Sequence, residues 1–374
     1  MSEVRDAEVM SVGPDEVVVT FTTDPDVAVT TRVGTAEVTT TGPLHTATVT
    51  GLDAATEYPI TIDAHLVETD ERYLPASVTT LARPSGTLLT TFATVNDVHF
   101  GEVECGRLEM GGQDLTGDVF VAEPGGPPYP EVMNRAAIAD IDAIAPDAVV
   151  AKGDLTNEGT EKEYDAFLAA YGHFGKRMHH IRGNHDAAIS DSMATTGPFL
   201  VELPGTTLAV LDTVRFQREN GKITTEQLAW LDEVAGAATH PVFVFGHHHP
   251  WSPESNTRSE GYFGINPDDS DALINLVGRH DNIVGYFAGH THRNRVRRFA
   301  AARDVPFAEV ACVKDYPGSW AEYRVYEGGY TQIHRRVTAT PARRWSEKTR
   351  GMFHGLYRDY ALGPLDWRCF AHTF

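Results

Sequence analysis

Two hydrophobic patterns share this chain: short apolar runs with no helical period, and longer stretches in which apolar residues recur every three or four positions. Five of the short runs end alike. Thr91-Phe92-Ala93-Thr94-Val95 leads into Asp97-Val98-His99, and Ala148-Val149-Val150-Ala151 leads into Gly153-Asp154. His180-Ile181 leads into Gly183-Asn184-His185-Asp186. Pro241-Val242-Phe243-Val244-Phe245 leads into Gly246-His247-His248-His249-Pro250, and Ile283-Val284-Gly285-Tyr286-Phe287 leads into Gly289-His290-Thr291-His292. Apolar runs this short read as buried strands. Open α/β sheets hold their ligands at the carboxyl ends of strands, so the pattern predicts a metal site assembled from loops.

Between these runs the period lengthens. It predicts helices over 131–144, where Val132, Ala136, Ile138 and Ile141 share a face, and over 160–167, opened by the capping box Thr160-Glu161-Lys162-Glu163. Further helices are expected over 225–234 and 271–277. Strands alternating with amphipathic helices from Thr87 onward imply a layered α/β domain. A stretch rich in Gly and Pro, between His99 and Pro130, includes Gly111-Gly112 and Gly125-Gly126-Pro127-Pro128. Loops this long are functional or disordered as a rule, and this one starts where it could roof the site.

Residues 1–84 carry a third pattern, in which Thr and Val alternate in short runs such as Val17-Val18-Val19-Thr20-Phe21, separated by Gly13-Pro14, Asp24-Pro25 and Gly42-Pro43. That spacing reads as a small all-β sandwich. Gly51-Leu52 followed by Ala55-Thr56-Glu57-Tyr58 resembles the tyrosine corner of fibronectin type III domains, and Val78-Thr79-Thr80-Leu81 resembles that family's last strand. His45 and His65 read as ordinary strand residues. Two domains are therefore expected, 1–84 and 85–374.

Composition narrows the partners. The 374 residues are 41% hydrophobic and 22% charged, with a formal net charge of −21. Such a charge argues against binding nucleic-acid polymers or anionic membranes. A small phosphate ester is not excluded, because bound cations would dominate the field in their own pocket. Cys105, Cys312 and Cys369 form no CxxC pair, which points to neither a zinc knuckle nor a disulfide framework. The N-terminal residues contain no apolar leader and no later run spans a membrane, so a cytoplasmic protein is expected.

Imidazole, carboxylate and one amide oxygen suit Fe, Mn, Zn or Co, and a carboxylate can bridge two such ions. The ordered motifs Asp-x-His, Gly-Asp, Gly-Asn-His-Asp, the histidine cluster and Gly-His-x-His resemble those of the calcineurin-like metallophosphoesterases, over residues 88–298. The resemblance implies a four-layer α/β/β/α sandwich holding two divalent metal ions that together activate a hydroxide for attack at phosphorus. It puts Asp97, His99 and His292 on the first ion, and Asn184, one clustered histidine and His290 on the second, with Asp154 shared. The family's ligand stands two residues before the proline, which selects His248 over His247. His185, with Asn184 and Asp154, is implied in catalysis; His185 would reach the phosphate and give a proton to the leaving oxygen.

Finer features favour one branch. Asn157-Glu158 stands where protein phosphatases carry an Asp and an Arg, and where purple acid phosphatases carry a metal-binding Tyr. Gly153-Asp154-Leu155-Thr156-Asn157-Glu158-Gly159, Leu211-Asp212 and the His-His-Pro ending look like the class III branch of cyclic nucleotide and glycerophosphodiester phosphodiesterases. The implied substrate is a small phosphodiester. A phosphomonoesterase is the alternative, and a non-catalytic metal-binding scaffold is the alternative of another class. Asn157, Asp212, Arg215 and His249 are candidate substrate contacts, although a surface salt bridge is the commoner fate of Asp212 and Arg215. Asp186 is expected to orient the Gly-Asn-His turn. Arg293, Arg295, Arg297 and Arg298 read as a solvated strand edge, and Val313-Lys314-Asp315-Tyr316-Pro317-Gly318 as part of a closing strand. The aromatic tail beyond Arg344 should pack on the catalytic domain, on the sandwich or on a second subunit.

Overall fold

The computed structural model describes residues 3–64, 66–67, 70–110, 113–114, 116–252, 257–259 and 262–374. Two six-stranded sheets carry the part of the chain after residue 87. One sheet has the order Met178–Ile181, Ala148–Lys152, Leu88–Val95, Ser319–Tyr326, Gly329–Arg336, Phe370–Thr373. Its first three strands are parallel and the rest antiparallel. The other has the order Phe199–Leu203, Thr206–Val210, Val242–Phe245, Ile283–Ala288, Pro306–Glu309, Arg295–Arg298, with four parallel central strands and an antiparallel strand at each edge.

Every residue of Ala148–Lys152, Thr206–Val210, Val242–Phe245 and Ile283–Ala288 is buried, as parallel strands covered on both faces require. The two-residue period of a strand then sorts their side chains. Phe243 and Phe245 join Phe92, Phe287, Tyr323 and Tyr330 in a core shared by both sheets, where Phe92 meets Phe243 edge-on at 5.3 Å. Val242 and Val244 point the other way, toward Leu231, Leu273 and Val277 of two helices. Val149 and Ala151 likewise pack with Met133, Ala137, Ile141 and Phe167.

The four expected helices form as Tyr129–Ala143, Glu161–Tyr171, Thr225–Ala237 and Pro267–Arg279, each longer than the periodicity alone indicated. Thr160 and Glu163 make both bonds of the capping box, at 3.3 and 3.1 Å. The last helix starts early because Asn266 accepts from the Asp269 N–H at 3.1 Å and Pro267 fits its first turn. Residues 313–318, expected as strand, form a turn-rich loop, and the strand begins at Ser319. Between 99 and 130 the chain makes two short strand pairs, with Gly117 against the backbone of Phe353 and His354; Gly111-Gly112 lie outside the described residues.

The N-terminal strands Glu3–Val12, Glu16–Val33, Ala36–Thr50, Glu57–Asp63, Leu66–Val67 and Ser77–Thr79 pair into one connected sheet system. The Tyr58 hydroxyl accepts from the Asp53 N–H at 3.0 Å. His45 is buried, stacked on Phe21 at 4.3 Å and hydrogen-bonded to Thr23 and Thr40; His65 lies outside the described residues. The apolar core of this region takes in Ile333 and Cys369, so the tail packs on both parts of the chain. Trp345 also stacks on Tyr129 at 4.1 Å.

Charge reinforces that junction. Buried Glu8 accepts from Tyr316 Oη and Arg358 Nε, both at 2.7 Å, and from Arg350 at 3.3 Å. Glu347 meets Arg336 at 2.9 Å and Arg343 at 3.0 Å, and also bonds Arg350. Among the described residues no helix is long and apolar enough to cross a membrane.

Candidate metal centre

Five strands end beside one another, three from one sheet and two from the other, so the site lies where the carboxyl ends of the two sheets meet. Reaching it strains the backbone. Asp97, His99, Asp154, His290 and His292 all sit at positive φ, between 44° and 70°. For non-glycine residues that region costs about 1–2 kcal/mol each, and such strain collects at functional sites. Hydrogen bonds hold the turns in place. Asp97 N–H donates to the Gly153 carbonyl at 3.1 Å, and Val98 and His99 N–H donate to the Asp154 carbonyl at 3.0 Å. The buried Asp186 carboxylate accepts from Gly183 N (2.7 Å), Leu155 N (3.1 Å) and Thr156 N (2.8 Å), tying the Gly-Asn-His turn to the Gly-Asp turn. A Cβ on Gly183 would stand 2.1 Å from Asp154 Oδ1, so only glycine allows this approach.

The side chains form two adjoining groups. Asp97, His99, Asp154 and His292 each offer a ligand atom within 4.8 Å of the others, and so do His247, His248 and His290. Asp154 joins them: its Oδ2 is 3.6 Å from His99 Nε2 and its Oδ1 is 3.3 Å from His247 Nε2. Asn184 Oδ1 lies 3.1 Å from the same His247 nitrogen. His247 Nδ1 donates to the Lys152 carbonyl at 2.7 Å, which fixes Nε2 as the nitrogen free to ligate. His248 belongs to the same histidine group, but its ring nitrogens face Thr213 Oγ1 at 2.9 Å and the Glu219 carbonyl at 3.1 Å.

The donor set fits divalent cations. Both nitrogens of His99 and Nε2 of His290 are buried without a hydrogen-bond partner among the described residues. Asp97 and Asp154 are buried, and no Lys or Arg ion pair to either occurs among those residues. Burying a carboxylate without a compensating cation is costly; two ions would supply the missing charge. Burial also holds His99, His248 and His290 well below the usual imidazole value, hence neutral, the form that binds metal. Burial opposes protonation of His247 as well, but the Asp154 carboxylate beside it pushes it up to about 9.

A model of the family described as calcineurin-like phosphoesterase matches residues 90–294, which hold every one of these side chains. The chain belongs to that family. It is 29% identical over 170 residues to the glycerophosphodiester phosphodiesterase GpdQ of Enterobacter lignolyticus, covering 42% of this chain and 60% of that protein. It is 24% identical over 163 residues to a probable cyclic nucleotide phosphodiesterase of Synechococcus, covering 42% and 62%. The matched segment thus spans about three fifths of each relative. In fold it is similar to a dimetal phosphatase from Danio rerio, with a TM-score of 0.52, 15% identity, and 67% and 98% of the two chains covered.

The remaining candidates are distributed as follows. His185 stands 4.6 Å from the His99 ring, centroid to centroid, and its N–H donates to Asp154 at 3.0 Å. Its Nδ1 donates to the backbone carbonyl of Asn157 at 2.6 Å; the main chain, not the Asn157 amide, therefore orients this ring. Burial works against protonating His185, but Asp154 and that carbonyl raise it above its ordinary value. His249 Nε2 meets Tyr262 Oη at 3.1 Å, and the exposed Phe263 stacks on His290 at 4.0 Å. Asp212 pairs with Arg182 at 3.0 Å, and Arg215 reaches Asn220 at 3.3 Å.

Two arginines read as a solvated edge are not solvated. Arg293 and Arg297 point at buried Glu309, at 3.1 and 3.8 Å, and Arg297 also donates to the carbonyls of Pro250 and Trp251. Sequence reasoning gave Lys314, Asp315, Cys312 and Glu102 no role near the site. Lys314 binds Glu102 at 2.6 Å and Asp315 at 3.4 Å, while Cys312, Asp315 and His292 offer ligand atoms within 4.8 Å of one another. Lys-Asp ahead of Tyr-Pro gave the only signal, and it carried no chemistry in isolation.

Proposed function

We propose that the chain is a metal-dependent phosphodiesterase acting on a small phosphodiester. The observation that carries this reading is Asp154, whose two oxygens face the two ligand groups. Asp97, His99, Asp154 and His292 would hold one cation, and Asp154, Asn184, His290 and a clustered histidine the other. His247 is preferred over His248 for that last place, because its Nε2 lies beside Asn184 and Asp154 while both His248 nitrogens are engaged. Bound there, two divalent cations supply Lewis acidity and lower the pKa of water.

The chain's own groups do the rest. His185, held at Nδ1 by the Asn157 carbonyl, keeps Nε2 for the substrate and carries the proton the leaving oxygen needs. Asn184 fixes its amide oxygen against His247. Phe263 and Tyr262 offer an aromatic wall beside His290 and His249 for the organic part of the ester. The names of the two curated relatives support a diester, and the two-sheet core with helix-facing outer clusters supports a four-layer sandwich. The Tyr58–Asp53 bond supports a fibronectin type III-like reading of residues 1–84.

Metal-reconstituted protein assayed on bis(p-nitrophenyl) phosphate and p-nitrophenyl phosphate tests the reading. Diester turnover should lead; a monoester preference of about tenfold in kcat/KM, some 1.4 kcal/mol, would overturn it. His185→Asn should lower kcat by about 10²–10⁴-fold, with metal content unchanged.

A further inference from the structure

Beyond the metal centre, the edge strand Arg295–Arg298 borders a cavity of about 750 Å³. Arg295, Arg297, Arg298, Phe299, Ile274 and Trp367 are among its lining, and none of the metal-ligand candidates or His185 is. A cavity of this size holds a small organic molecule.

Its charge is unusual for a chain of net charge −21. Three arginines are in its lining, two of them, Arg295 and Arg297, on one face of the strand, and the nearby acids have partners. Glu309 is shared by Arg293 and Arg297. Asp271, the acid in the lining, pairs with Arg258 at 2.9 Å. Arg297 is held in place by the Pro250 and Trp251 carbonyls, and its buried Nε, 3.8 Å from Glu309, has no hydrogen-bond partner among the described residues. Arg298 spends one nitrogen on the Asp304 carbonyl at 2.6 Å. Among the described residues Arg295 makes no ion pair within 4.0 Å, and the strand register sets it opposite Glu309, whose carboxyl burial raises but which it helps to hold low together with His249, Arg293 and Arg297. Guanidinium groups present forked donors that match planar or tetrahedral oxyanions. Beside them, Phe299, Ile274 and Trp367 offer apolar and aromatic surface.

We infer that this cavity is a second ligand site, separate from the metal centre, for an organic anion: a phosphate, sulfonate or carboxylate head bound by Arg295 beside Arg297, with an apolar body against Phe299 and Ile274 on the same face of the sheet. The site does not depend on the phosphodiesterase reading. Its position also matters, because Arg297 grips the carbonyls that follow His249, so an occupant would sit one layer behind the histidine loop.

1-Naphthalenesulfonate is a suitable probe, since a sulfonate carries no phosphoester to hydrolyse. Titration calorimetry on the full-length, metal-loaded protein should give one binding event. Arg295→Gln should weaken it by about tenfold or more and Phe299→Ala should weaken it too, while Asp154→Ala binds the probe as wild type does. Arg295→Gln should leave bis(p-nitrophenyl) phosphate hydrolysis without probe unchanged. Absence of binding, or binding that Asp154→Ala abolishes and Arg295→Gln does not alter, would overturn the assignment.

Discussion

Two clusters of buried charge sit in this molecule, and they are built on opposite rules. At the junction with the N-terminal sheet, every buried carboxylate meets guanidinium groups: Glu8 meets Arg350 and Arg358, and Glu347 meets Arg336, Arg343 and Arg350. At the ends of the two sheets, Asp97 and Asp154 have histidines as their only ion-pair partners among the described residues, and buried ring nitrogens there lack hydrogen-bond partners. The first cluster is complete without anything added, and its work is to dock one part of the chain on another. The second is electrostatically unfinished, over a backbone forced to positive φ at five residues. Burial of charge alone does not mark a functional site; buried carboxylates with histidines in place of Arg or Lys partners, beside ring nitrogens with no hydrogen bond, single this one out.

The largest effect is expected at the unfinished cluster. Asp154→Ala removes the carboxylate that touches both groups, so diester hydrolysis should fall below detection and elemental analysis should find less metal. Adding Mn²⁺ to chelator-treated wild type should raise its melting temperature by linkage, and the same addition should leave Asp154→Ala unmoved. An Asp154→Ala protein that still turns over substrate would erase the distinction between the clusters.

The complete cluster should answer in stability instead. Glu8→Ala leaves buried Arg350 and half-buried Arg358 beside an empty position, and removing one partner of a buried pair costs about 3–5 kcal/mol. Urea unfolding measures it. Glu8 also holds the Tyr316 hydroxyl at 2.7 Å, two residues from Lys314. Deleting residues 1–84 should therefore disturb the loop over 312–318, and full activity on small esters after that deletion would show that the N-terminal region is merely accessory.

Legibility in the sequence divides along the same line. The strand-end residues that gather at the site and the helices were readable because their signals are local: a strand end, a one-residue spacing as in His290-x-His292, a capping box at Thr160. The orientation of the His247 ring, which brings its Nε2 beside Asn184 and Asp154, was not, since it depends on the Lys152 carbonyl, 95 positions away. Glu102 and Lys314 are 212 apart, and Glu8 meets its arginines across more than 340. In sequence Arg293 and Arg297 read as a solvated strand edge. Periodicity reports what is buried, but it does not report which charges are buried together.

Acid should weaken the complete cluster. Burial raises the Glu347 carboxyl, but Arg336, Arg350 and Arg343 outweigh it and hold it at about 2, against 4.5 for the free group. The folded state then binds fewer protons than the unfolded state between these values. The contribution of Glu347 is complete above pH 4.5 and is lost progressively as pH falls toward 2. Melting temperatures measured from pH 6 down to 3 should decline, and Glu347→Gln should start lower and decline less. A wild-type profile no steeper than the variant's would mean that the arginines do not hold this charge.

The smallest effect tests where the cluster ends. Asp6 also pairs with Arg350, at 3.0 Å, yet its side chain is 44% exposed against 0% for Glu8. Water screens such a rim pair, and exposed pairs contribute about 0–1 kcal/mol. Asp6→Asn should therefore shift the urea midpoint only slightly, although it removes a carboxylate from the same guanidinium that Glu8→Ala strands. If the two substitutions cost the same, loss of net charge, not desolvation, would be what matters at this junction, and the contrast between a finished and an unfinished cluster would have to be drawn on charge count alone.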